Sequence, residues 1–180
     1  MAVRGTASDK AKWELSYRYL TGQIDRATHR SILMHQLRPN LKLGVEWNPG
    51  ANEVGFVANW RAIPESQRRP AVIVGTSSDR IGTPEGQSYY VTVSKSLHHE
   101  TGLPMAPYVS AGYSTFENRM LYPFGVNVAI GARWSSMLIN DGVHTHVSAT
   151  YAWDRFAVTL LLVERKDVGV TIGARFPTKP

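Results

Sequence analysis

The chain has 180 residues, no cysteine and a formal net charge of +6, which suits one domain and excludes a disulfide framework, thiol catalysis and thiolate metal sites. With 43% hydrophobic and 19% charged residues, it has the composition of a folded chain and not of a disordered one. No apolar run approaches the ~18 residues of a membrane helix, none exceeding the length of 160–163, and the basic residues are dispersed, with Gln67-Arg68-Arg69 the densest spot, so no nucleic-acid partner is expected.

Residues 1–11 carry charge and small side chains without the apolar core of about 7–15 residues that a secretory signal needs. They are expected to be a flexible segment ahead of the domain, with any export signal absent from this chain. From residue 12 the dominant pattern is period-two alternation, which points to strands. Residues 12–20 set Trp13, Leu15, Tyr17 and Tyr19 on one face and Glu14, Ser16 and Arg18 on the other. After a polar loop at 21–30, residues 31–38 lead through Pro39-Asn40 into Leu41, Leu43, Val45 and Trp47, which alternate with Lys42, Gly44 and Glu46. Residues 48–52 read as a hairpin loop, and Val54, Phe56, Ala58 and Trp60 mark the return strand.

Polar loops at 64–70 and 79–86 flank a strand at 71–76. Strands follow at 87–97 and 108–116, and then 124–131, 134–140, 143–153, 156–164 and 168–176 succeed one another with short connections such as Asn140-Asp141-Gly142 and Asp154-Arg155. Successive strands leave no room for crossover helices, so pairing is antiparallel. The fold class is all-β, an antiparallel meander of about 10–12 strands spanning 12–176, with 177–180 as a tail; strands of about 8–10 residues are long enough to cross a bilayer at a tilt.

Tryptophan placement separates a membrane barrel from a soluble sandwich. Trp13, Trp47, Trp60, Trp134 and Trp153 all fall at predicted strand ends, where interfacial aromatic girdles sit. The last strand sets Val168, Val170, Ile172, Ala174 and Phe176 on one face and Gly169, Thr171, Gly173 and Arg175 on the other. Here the chain resembles bacterial outer-membrane β-barrel proteins, whose final strand carries alternating apolar residues, a glycine and a near-terminal aromatic; in most of them the aromatic ends the chain, whereas four residues follow Phe176. Val126 to Trp134 repeats the pattern 42 residues upstream. The resemblance is one of architecture, without the signature of any single family. It implies a transmembrane β-barrel in the bacterial outer membrane, the lipid bilayer as partner, and Phe176 beside the tryptophans at the membrane interface.

If the polar face lines a lumen, Arg18, Arg38, Lys42, Arg61, Arg133 and Arg175 make it cationic and favourable to anionic solutes. The expected function is that of a small, non-enzymatic barrel acting as a pore, or as a structural or partner-binding component beside other envelope proteins. Two alternatives are compatible with the sequence. His144, His146, Ser148 and Thr150 share a predicted face, and a His-x-Ser pair on a barrel strand is similar to that of outer-membrane lipid A deacylases; this alternative is a lipid hydrolase using His146, Ser148 and Glu164. The other is a soluble β-barrel with its apolar face turned inward around an apolar ligand. His98-His99-Glu100 has no further ligand at metal-site spacing, and no nucleotide-binding loop is present, so neither metal nor cofactor is expected.

Overall fold

The computed structural model describes residues 11–22 and 25–177; positions 1–10 of the predicted N-terminal segment and 178–180 of the tail lie outside them. Thirteen strands follow in order: β1 (Ala11–Leu20), β2 (His29–Arg38), β3 (Leu41–Asn48), β4 (Glu53–Ile63), β5 (Ala71–Ser78), β6 (Gln87–Ser94), β7 (Met105–Ser114), β8 (Arg119–Leu121), β9 (Phe124–Ala129), β10 (Trp134–Asn140), β11 (Thr145–Trp153), β12 (Phe156–Val163) and β13 (Asp167–Pro177). Two single-turn helices, α1 (Asp25–Thr28) and α2 (His98–Thr101), lie in connections. Every pairing is antiparallel, and β1 pairs with β13, Trp13 opposite Phe176 and Tyr19 opposite Val170, which closes the sheet on itself.

The thirteen segments fill twelve barrel positions. β7 pairs with β8 at one end, Ser114 opposite Arg119, and with β9 at the other, Val109 opposite Phe124. Pro123 separates the two, having no amide to donate, yet its carbonyl accepts the Ser110 amide at 2.7 Å and keeps the row continuous. Ala11 and Pro177 pair across the seam, so the strand pairing reaches both residues. Turns form where side chains tolerate left-handed backbone: Asn52, Asn118 and Asp154 have φ of 50°, 50° and 48°.

Sidedness follows the alternation. Trp13, Leu15, Tyr17 and Tyr19 are exposed on the outside, as are Val45, Trp47, Phe56, Leu160 and Ile172, while seven hydrophobic side chains are buried among the described residues. Water would penalise such an exterior, whereas lipid favours it. The soluble-barrel alternative needs the opposite sidedness and is not supported. Trp13, Trp60, Trp134, Trp153 and Phe176 lie on the outer face at the end where the seam's termini meet, called here the terminal end, and Trp47 lies at the far end.

Candidate functional site: the lumen of the barrel

In the far half, charge concentrates on β1 to β4. Arg18 faces Arg30 directly across the β1–β2 ladder. Glu46, 1% exposed, binds the Arg30 guanidinium through one carboxylate oxygen and accepts from Asn48 Nδ2 at 3.2 Å through the other. At the far mouth α1 packs inward. Arg26 on α1, 4% exposed, pairs with Glu53 at 2.7 Å, donates to Thr83 Oγ1 at 2.7 Å and donates to the Gly86 carbonyl at 2.6 Å. Ala27 and Ile81 follow, packing against the inward Leu20, Leu161 and Val163. The helical turn α1, in a stretch that reads as a polar loop, thus fills lumen space, because its buried arginine finds partners at the start of β4 and in the β5–β6 connection.

The terminal half is open instead. A cavity of about 710 Å³ is lined by Lys42, Arg61, Arg133, Arg155 and Arg175, with Glu14 and Asp154 as its carboxylates. Glu14 Oε1 holds Lys42 Nζ at 2.7 Å and lies 3.5 Å from Arg175 Nε. Arg61 donates to the Pro39 carbonyl at 3.2 Å, and Arg133 to the Tyr151 hydroxyl at 3.2 Å. Of the six cations singled out by alternation, four therefore line one cavity. Arg18 lies deeper, and Arg38, beyond a bulge at the end of β2, is exposed beside the turn. Arg155, a turn residue, joins the rim, and Arg26 and Arg30 join the deeper charges; all three escape a strand-alternation reading because it places them in loops.

The histidine cluster is arranged differently from its expected form. His144 lies in the turn before β11, so it does not share the strand face of His146 and Ser148. Glu164 has φ of 52° in the β12–β13 turn and sits 3.4 Å from His144 Nε2, while the carboxylate on His146 is Asp141, at 3.0 Å. His146 and Ser148 point into the lumen, 3% and 9% exposed, away from the surrounding lipid whose acyl chains a deacylase must reach. In α2, Glu100 pairs with Lys95 at 2.9 Å.

Asp141 organises the β10–β11 turn. Burial alone would raise its pKa, but hydrogen bonds from His146 and from the His144 and Val143 amides, at 3.0, 2.7 and 2.9 Å, outweigh burial and hold it below the ordinary carboxylate value. A depressed folded pKa means stability present above the unfolded value of about 4 and lost as pH falls through the lower folded value. Asp141→Asn is expected to flatten that acid limb and to lower stability near neutral pH by about 1–3 kcal/mol, measured as urea midpoints in lipid vesicles from pH 2 to 7. An unchanged pH dependence would show that the turn carries none of it.

No family model matches the chain, and no curated protein does. Solved structures are similar to it over most of its length. The KdgM porin aligns with a TM-score of 0.60 at 13% identity, covering 92% of this chain and 99% of that one; the KdgM porin in complex with disordered oligogalacturonate gives 0.58 at 13%, with the same coverage. The NanC porin in a rhombohedral crystal form gives 0.53 at 14%, covering 92% of this chain and 100% of that one. Identity at this level speaks to architecture: the chain folds as a closed antiparallel barrel of the kind found in these porins.

Proposed function

We propose that this protein is a small bacterial outer-membrane barrel that serves as an anion-favouring pore, with the bilayer as its surroundings and no catalytic step of its own. The observation that carries the reading is the pairing of an apolar exterior with a lumen cavity whose five cations exceed its two carboxylates. Low-dielectric walls around such a cavity focus positive potential into it and raise the local concentration of anions. The oligogalacturonate in one similar porin is a polyanion, in keeping with that sign.

Planar-bilayer recording under a potassium chloride gradient tests the proposal. The wild-type chain is expected to give a reversal potential of anion-selective sign, and Arg133→Glu with Arg175→Glu to abolish or invert it. Protein that stays monomeric and soluble without detergent, or wild-type channels that prefer cations, would overturn it.

A further inference from the structure

The cavity carries a second property besides charge. Beside and below its cationic rim the β2–β5 wall carries four apolar side chains, Ile32, Met34, Val57 and Ile73, which point inward and line the same space, with Asn59 the polar residue among them. Met34 and Val57 are 8% and 5% exposed, and they meet across Gly44, whose missing side chain leaves room for the methionine; a Cβ there would lie 2.5 Å from Met34 Sδ. The opposite wall is built from Ser135, Ala152, Ala157 and Gly173, small residues that leave the volume unfilled. Among the described lining residues the one aromatic ring, Phe156, belongs to the outward set opposite Trp153, so this cavity offers no inward ring for stacking a sugar.

Resting on the pore reading above, we propose that the cavity selects small amphipathic anions, which hold a carboxylate at the rim and lay an apolar body on the Ile32–Met34–Val57–Ile73 floor. A polyhydroxylated acid of equal charge would find Ser16, Asn59, Ser135 and Thr150 for some of its hydroxyls, but those laid on the four apolar side chains would give up water contacts without replacement. An alkyl chain gains from the same floor, by roughly fourfold in affinity for each methylene fully withdrawn from water.

Hexanoate and gluconate test this directly, since both are six-carbon monocarboxylates and differ in hydroxylation. Block of the chloride current in planar bilayers is expected at an at least tenfold lower concentration of hexanoate than of gluconate, strengthening from propionate through butyrate to hexanoate. Val57→Thr, which keeps shape while adding a hydroxyl, with Ile73→Thr, which adds a hydroxyl and removes one carbon, should bring hexanoate toward gluconate and leave chloride selectivity unchanged. The wild-type carboxylate series decides the matter even if the double variant fails to insert. Equal block by hexanoate and gluconate, with anion selectivity intact, overturns the amphipathic preference alone; a chain that conducts no anions overturns the pore reading and this preference together.

Discussion

Glu46→Gln is expected to destabilise the barrel by about 3–5 kcal/mol, the range for breaking a buried ion pair from one side. The carboxylate is 1% exposed and is bound by Arg30, which stands opposite Arg18. Neutralising it leaves two guanidinium groups facing each other with no countercharge on the adjoining strand, in a space where removal from water has already weakened their hydration. Urea titration of folded protein in lipid vesicles, followed by tryptophan fluorescence, measures the loss. Glu46→Leu combined with Arg30→Met should recover most of it, because the pair is then replaced and not orphaned. A single variant within about 1 kcal/mol of wild type would mean that water in the lumen solvates the Arg18 and Arg30 guanidinium groups well enough to make the pairing incidental.

The second large effect concerns two inward tyrosines that lie across glycines on the neighbouring strand. Tyr90 stands opposite Gly75, and a Cβ on Gly75 would come within 2.6 Å of its ring and 2.7 Å of the Ala58 carbonyl oxygen. The ring is held in place by its hydroxyl, which donates to Asn59 Oδ1 at 2.9 Å. Tyr108 covers Gly125 in the same way, 2.8 Å from the position its Cβ would take. Gly75→Val should therefore cost about 3 kcal/mol through overpacking. Adding Tyr90→Ala should return part of that loss, the non-additivity expected of two side chains in contact. Strict additivity in the same urea assay would assign the cost to the Ala58 carbonyl instead of the ring.

The sheet was legible because period two is a local signal: wherever Trp13, Leu15, Tyr17 and Tyr19 alternate with polar neighbours, register follows directly. What alternation does not encode is how connections fold back. Arg26 reads as one charge in a polar loop, and its burial depends on Glu53, Thr83 and Gly86, residues supplied by other parts of the chain. Arg30 was hidden by a boundary, since β2 begins at His29 and so places it opposite Arg18. Asp141 replaces Glu164 as the partner of His146 because the hairpin closes within the four residues before β11, while Glu164 is turned aside by its left-handed backbone. Alternation leaves 117–123 as a connection and so omits β8, whose three residues pair with β7 and are continued toward β9 by the Pro123 carbonyl.

The seam between β1 and β13 also constrains how the molecule forms. Its first strand finds its last partner only when Phe176 and Pro177 are available to meet Trp13 and Ala11, the largest sequence separation of any strand pairing among the described residues. Loop-closure entropy is met before that contact contributes anything, so ring closure should come late and assembly should be slow. Until then both edge strands present unpaired amides and carbonyls beside an apolar face, a surface prone to pairing with other chains.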